Sequence, residues 1–146
     1  MCCVLTPSAR SFVDMAEVEK LTGHPVRSEY KRPDEPDVLP PPDAIIVAPA
    51  SFNTINKWAA GISDTLALGL ITEAIGKGLQ IVTIPAINAA QARHPAWRRS
   101  VETLSAAGVR VLHGDDVYPV HPPGEGAHYL HAFPWRLALD VIRAVD

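Results

Sequence analysis

Polar residues follow three short apolar segments of this sequence, at the points where each segment ends. The polar stretches are TPSA at 6–9, PASFNT at 49–54 and PAIN at 85–88. In an open parallel sheet, ligands bind beyond the carboxyl ends of the strands, where loops lead into helix N-termini. Hydroxyls, side-chain amides and free backbone N–H groups at such positions can hold an anionic or hydrogen-bonding ligand, such as a phosphate or the polar edge of a ring.

Helix capping is the simpler interpretation of the same residues when spacing alone is considered. Ser51, Asn53 and Thr54 are ordinary residues at a helix start, where a side-chain oxygen accepts a hydrogen bond from an unpaired backbone N–H. The spacing therefore leaves both a capping role and a binding role open.

Strands alternate with helices along the chain. Apolar segments bounded by turn residues predict strands at 2–5, 26–28, 44–48, 80–84 and 109–112. This alternation predicts an α/β fold with a parallel, doubly wound sheet. The nearly all-apolar AIIVA at 44–48 is typical of a central strand that is covered on both faces.

Helical spacing of apolar residues is clearest over 54–75. Gly61 interrupts it, and Ser63 or Asp64 is available as a second N-cap, so the segment predicts two helices or one bent helix. Two further helices are predicted at 95–107 and 134–145.

Two stretches rich in proline, glycine or histidine, at 32–42 and 114–131, are predicted loops that could lie over a site. Tyr118, His121 and His128 are interpreted as part of a lid or a subunit contact. No cysteine or carboxylate cluster completes a metal site with the nearby histidines, so no metal is predicted. These histidines are His113, His121, His128 and His131.

Length and composition limit the class of protein. With 146 residues, 47% of them hydrophobic, the chain can bury one sizeable core, and a single domain over 1–146 is expected. A formal charge of −3 gives no basic field for nucleic acid. No apolar run suits a membrane span or signal peptide, so a cytoplasmic protein is expected. The cysteines, Cys2 and Cys3, are interpreted as buried strand residues.

An ordered series of motifs resembles the homo-oligomeric flavin-containing cysteine decarboxylases. PASFNT at 49–54 and the residues that follow to 64 resemble the PASANT segment of that family, and PAIN at 85–88, with His94 and Pro95, resembles its PAMN segment. Residues 5–12 and 21–26 resemble the family's second strand and the turn after it. The resemblance covers 2–112, and the series is more specific than any single motif.

The resemblance implies a three-layer, Rossmann-like (flavodoxin-like) flavoprotein domain that binds FMN. Its substrate is expected to be a small molecule, whose carboxylate or amide would meet Asn88. Self-association, as trimers or multiples of trimers, is also implied. The residues implied to contact or lie near FMN are Thr6, Ser8, Ser51, Phe52, Asn53, Thr54 and Ala86.

The sequence departs from that family at its catalytic positions. The place of the family's catalytic histidine falls near Glu35, and the counterpart of its mobile lid, at 114–127, contains no cysteine. Asp34 or Glu35 could act as a base instead, although an exposed acid in a proline-rich loop is usually only solvated. No catalytic residue is assigned. The sequence also begins one strand later than the family pattern, without the family's first strand and phosphate loop.

Three functions compete. The first is an FMN-dependent redox or decarboxylase-like enzyme, in which oxidised flavin takes a hydride from a small, cysteinyl substrate. The second is a flavin prenyltransferase of related fold, which would not need the missing histidine. The third is a non-catalytic flavin-binding or interaction protein. Bound flavin without turnover of a cysteinyl substrate would favour the third.

Overall fold

A parallel sheet of three strands forms the centre of the fold, in a computed structural model that describes residues 1–144. The strands are β1 (Ala44–Ala50), β2 (Gln80–Pro85) and β3 (Arg110–Val111), in the order β1-β2-β3. Val47 lies opposite Thr83 in the β1–β2 register, and Thr83 lies opposite Val111 in the β2–β3 register.

Helices connect and flank the strands. No helix in this part of the chain has both the length and the apolarity of a membrane span. Two short 3-10 helices lie at Pro7–Ser11 and Leu130–Ala132. The predicted end of the last helix, Val145, lies outside the described residues. The α-helices are α1 (Met15–Thr22), α2 (Phe52–Ala59), α3 (Leu66–Gly76), α4 (Ala89–Ala92), α5 (Pro95–Ala106), α6 (Gly126–Tyr129) and α7 (Trp135–Arg143).

The segment predicted as two helices or one bent helix forms two separate helices, α2 and α3. Gly61 adopts the left-handed conformation, with φ of 72°, and ends the first. The predicted cap of the second helix at Ser63 or Asp64 is wrong, because Thr65 is the N-cap and accepts the Leu68 N–H at 3.2 Å. Asp64 pairs with Lys57 instead.

Side chains of β1 alternate between two hydrophobic cores, one on each face of the sheet. Ile45 and Val47 pack against a core shared with α2, α3 and α5, whereas Ile46 and Ala48 pack against a core shared with α7. Thr83 of β2 is fully buried, and its hydroxyl donates to Val47 O at 2.9 Å. The predicted α/β fold, a parallel sheet with helices on both faces, is confirmed.

The predicted strands at 2–5 and 26–28 do not join this sheet. They meet each other in an isolated parallel bridge between Val4 and Arg27. Prolines flank both segments closely, and because proline fixes φ and lacks an N–H donor, neither segment extends into a longer ladder. Among residues 1–144, β1 therefore lies at an edge of the sheet, not at its centre.

Leu104 tests the core between α5 and the sheet, because it is only 1% exposed. We expect Leu104→Ala to lower the free energy of unfolding by about 2–5 kcal/mol, since it removes buried methyl groups and leaves a cavity. Urea denaturation measures the change. Leu130→Ala is the matched control, because Leu130 is 60% exposed and its loss should cost less than about 0.5 kcal/mol. Equal losses of unfolding free energy for the two substitutions would contradict the assignment of Leu104 to the core.

Candidate functional site

The carboxyl ends of β1 and β2 are joined by a hydrogen bond between the segments that follow them. Ala86 N–H donates to Ala50 O at 2.9 Å, and Ala50 lies opposite Pro85 in the ladder. The starts of α2 and α4 therefore lie at the same edge of the sheet, as expected for a ligand site in a parallel sheet. We call residues 51–54 and 86–88 the edge site.

The start of α2 divides its polar residues between capping and exposure. Ser51 is the N-cap, and its Oγ accepts the Thr54 N–H at 3.2 Å and lies 3.1 Å from Thr54 Oγ1. Thr54 is buried, whereas Asn53 is exposed and its side-chain amide makes no hydrogen bond within residues 1–144. Phe52 is half-buried. Both interpretations of this segment thus have a structural basis, because Ser51 caps the helix through the Thr54 N–H, whereas the Asn53 amide is available to a ligand.

Asn88 begins α4 in a capping box with Gln91. Its Oδ1 accepts the Ala90 N–H at 3.0 Å and the Gln91 N–H at 2.9 Å, while its own N–H donates to Gln91 Oε1. These bonds use the acceptor of the Asn88 amide. Its donor, Nδ2, makes no hydrogen bond within the described residues, so the side chain can present an N–H to a ligand.

The loop predicted to lie over a site makes contact with the start of α4. Ala89 N–H donates to His121 O at 2.8 Å, and His121 forms a parallel bridge with Asn88. The His121 ring stacks on Tyr129, with ring centres 5.5 Å apart. Among residues 1–144, no three His, Cys, Asp or Glu side chains come together as a group that could hold a metal ion.

His94 adds an aromatic contact at the start of α2. Its ring meets the Phe52 ring edge to face, with centres 5.6 Å apart and an interplanar angle of 79°. His94 is also the N-cap of α5. The motif that contains His94 and Pro95 predicts no separate role for His94. Its position directly before Pro95, which is a favoured first residue of a helix, is the signal that identifies it as a cap.

Thr6 and Ser8 make local contacts. Thr6 Oγ1 accepts the Ala9 N–H at 3.3 Å, and Ser8 O accepts the Ser11 hydroxyl at 2.8 Å. None of the hydrogen bonds described for residues 1–144 joins either residue to the edge site. The structure therefore brings the predicted residues of 51–54 and 86–88 together and leaves Thr6 and Ser8 in the capped 3-10 helix.

The acids proposed as substitutes for the missing histidine also make local contacts. Arg32 N–H donates to the Glu35 carboxylate at 3.0 Å, and the Arg32 guanidinium lies 3.5 Å from Asp34. Both acids are exposed. A general base must lie within hydrogen-bond reach of the proton that it takes, and the contacts described for these two acids join them to Arg32 in an exposed loop, so neither acid has a structural basis for catalysis.

Cys3 and Tyr118 have perturbed acidities. Burial raises the pKa of the Cys3 thiol, and the neighbouring Cys2 raises it further, so the nucleophilic thiolate is disfavoured. Both cysteines are half-exposed, and their prediction as buried strand residues is wrong because their segment lies outside the sheet. Burial also raises the pKa of the Tyr118 phenol, which packs against Phe133. Neither group supplies a reactive anion at neutral pH.

The fold is that of an α/β protein with a parallel sheet, a class of fold in which ligands bind beyond the carboxyl ends of the strands. The sequence profile of the Flavoprotein family matches residues 1–127, and the chain belongs to that family.

Curated relatives include two larger proteins of coenzyme A biosynthesis. The bifunctional protein CoaBC of Bacillus subtilis (strain 168) is 31% identical over 121 residues, which are 79% of this chain and 29% of that protein. CoaBC of Thermococcus kodakarensis is 30% identical over 114 residues, covering 75% of this chain and 28% of the relative. The chain thus spans less than a third of the length of these relatives.

Solved structures of similar fold include one protein of thioviridamide biosynthesis and one of epidermin biosynthesis. The FMN-dependent cysteine decarboxylase TvaF, from thioviridamide biosynthesis, has a TM-score of 0.67 and 27% identity, covering 77% of this chain and 71% of its own. The epidermin biosynthesis protein EpiD of Staphylococcus aureus has a TM-score of 0.62 and 28% identity, covering 75% and 63%.

Ser51 and Asn53 form a matched pair for separating capping from ligand binding. We expect Ser51→Ala to lower the free energy of unfolding by about 1 kcal/mol, because the Thr54 N–H loses its acceptor. Asn53→Ala should change it by less than about 0.5 kcal/mol, because no hydrogen bond of its side chain is lost. Urea denaturation without any ligand measures both. A larger loss for Asn53→Ala would show that Asn53 has a structural role.

Proposed function

We propose that this chain binds FMN at the edge site and acts on a small, cysteinyl substrate as a redox or decarboxylase-like enzyme. The observation that supports this most lies at the joined carboxyl ends of β1 and β2. There the Asn53 amide and the Asn88 Nδ2 donor make no hydrogen bond within residues 1–144, while Asn88 Oδ1 caps α4. The FMN-dependent decarboxylases of similar fold support the choice of cofactor and reaction class. We further propose that residues 1–146 act as one flavoprotein domain.

The chemistry of the edge site fits a flavin. Phe52 offers an aromatic surface to a planar ring, the Asn53 amide offers both a donor and an acceptor to a polar ring edge, and free N–H groups at the start of α2 suit an anion. We propose that Ser51, Thr54 and Ala86 complete the cofactor site. Thr6 and Ser8 are assigned to it only through the resemblance of their segment. Bound FMN would supply a two-electron acceptor.

Asn88 is proposed to recognise the substrate carboxylate. Its Oδ1 is held by two backbone N–H groups of α4, so the rotamer is fixed and only the Nδ2 donor is available. A fixed donor suits a carboxylate oxygen, and its fixed position reduces the entropy that is lost on binding. The loop segment at His121 pairs with the backbone beside Asn88, so it can help to exclude water from the same place.

A non-catalytic flavin-binding protein is the alternative. It is favoured by the local contacts of Asp34 and Glu35, which leave the edge site without an identified base. The two functions share the cofactor site and differ in whether the bound flavin is reduced by a substrate.

Self-association is also part of the proposal, because the resemblance to the homo-oligomeric decarboxylases implies it. Trp135 is 57% exposed and is a candidate for a contact between copies, whereas Trp97 is half-buried. Phe133 is only 5% exposed and belongs to the core with α7, so it is not available. Phe12 and Leu21, both exposed, are further candidates.

FMN binding tests the cofactor assignment. We expect the protein to quench FMN fluorescence, and Asn53→Ala to raise the FMN dissociation constant about tenfold, since one hydrogen bond of about 1.4 kcal/mol is lost. Lys77→Ala, at the exposed C-terminal end of α3, is the control and should leave the affinity unchanged. An absence of FMN binding by the unmodified chain would refute the proposal.

Asn88→Asp tests the substrate assignment with little change in structure. The carboxylate keeps the acceptor for the α4 cap but replaces the Nδ2 donor by a negative charge, which repels a substrate carboxylate. We expect unchanged thermal stability and FMN affinity, with at least about a tenfold lower rate of flavin reduction. The rate is measured by anaerobic bleaching of bound flavin on mixing with a peptide that ends in cysteine. If the peptide does not bleach the flavin bound to the unmodified protein, the non-catalytic alternative is favoured.

A further inference from the structure

The ring of Phe52 is a feature of this chain that its resemblance to the decarboxylases does not explain. The corresponding position of the PASANT motif is alanine, whereas this chain places a phenyl ring there, on the first residue of α2. The ring is half-buried and meets the His94 ring edge to face at 5.6 Å. Such an arrangement is a favoured geometry of aromatic pairs and restrains the orientation of both rings.

The tautomer of the neutral His94 ring follows from the hydrogen bond by which His94 caps α5. His94 Nδ1 accepts the Ala96 N–H at 3.1 Å, and a nitrogen that accepts a hydrogen bond carries no proton. The neutral imidazole therefore has its hydrogen on Nε2. Nε2 makes no hydrogen bond within residues 1–144, and His94 is exposed. Its ring thus presents a single directed N–H donor next to Phe52.

Capping alone does not account for histidine at this position. Serine, threonine, aspartate and asparagine are the preferred N-cap residues, and each would satisfy the Ala96 N–H without placing a ring against Phe52. The histidine adds two things that those residues lack, which are the aromatic contact and the Nε2 donor.

We propose that Phe52 and His94 form one wall of the edge site and bind a planar ring that carries hydrogen-bond acceptors. Phe52 packs against the ring, and His94 Nε2–H donates to an acceptor on its edge. This inference rests on the proposed function and deepens it, because the isoalloxazine of FMN is a ring of this class. In this arrangement His94 contacts the cofactor, and its ring restrains the orientation of the Phe52 ring. The hydrogen bond by which His94 caps α5 in turn restrains the orientation of His94.

His94→Asn is the decisive variant, because asparagine keeps the N-cap and removes the ring and the Nε2 donor. We expect an unchanged thermal midpoint, an FMN dissociation constant about tenfold higher, and a shifted visible absorption spectrum of the bound flavin. The matched control is His113→Asn, since His113 makes a similar edge-to-face contact with Trp97, at 5.8 Å and 87°. It should change FMN affinity less than about twofold.

Phe52→Ala tests whether the two residues act as a unit. It should weaken FMN binding, and the double variant should weaken it less than the product of the single effects, because either substitution already breaks the pair. Unchanged FMN affinity and spectrum in His94→Asn would overturn the inference while leaving the proposed function intact. If the unmodified chain binds no FMN, this inference and the proposed function are both refuted.

Discussion

The parallel pairing of β1 with β2 positions the candidate site. Both strands run in the same direction, so the segments that leave their carboxyl ends start side by side, and the hydrogen bond from Ala86 N–H to Ala50 O joins them. The strands cannot slide past each other, because a shift of one residue would turn Ile45 and Val47 from one core into the other. The burial of apolar side chains on two faces thus determines where the polar residues of the edge site lie.

Asn88 of the edge site and His94, whose ring meets Phe52, each use one atom for a helix cap and leave another without a hydrogen bond in the described residues. The Asn88 amide accepts through Oδ1 and keeps Nδ2, and the His94 ring accepts through Nδ1 and keeps Nε2. The cap fixes the rotamer, and therefore the direction of the remaining donor. Groups held in this way lose little entropy when a ligand binds, which is the benefit of preorganised sites. Capping and binding are thus complementary roles of the same side chains.

The loop after β3 connects the core that contains α7 to the site. Tyr118 and Phe133 pack in the core with α7, and between them His121 pairs with the backbone at Asn88. The apolar anchors hold the loop at both sides of the contact. A loop fixed in this manner can cover a site without a long regular element of its own. The mobile lid of the decarboxylases that the sequence resembles carries a cysteine, whereas this loop contains none. Any chemistry at the site must therefore use other groups.

The sequence by itself determined the fold class, the helices α2, α3, α5 and α7, and the polar segments of the edge site. These depend on local pattern: apolar runs for β1 and β2, helical spacing for α2, α3 and α5, and glycine or proline at their ends. The sequence also predicted a helix end at Gly61, because the conformational freedom of glycine is a property of the residue itself.

Only the tertiary structure decided which of these segments meet. The segment at 2–5 has a strand pattern but pairs with 26–28 outside the sheet, since pairing depends on partners distant in the chain. The contact between Phe52 and His94 joins two helix starts that are far apart in sequence. The residue type also does not show which amide atoms are used in capping, because Asn53 and Asn88 have the same side chain. Their different roles come from the backbone geometry around each, and that geometry is set by how the helices pack on the sheet.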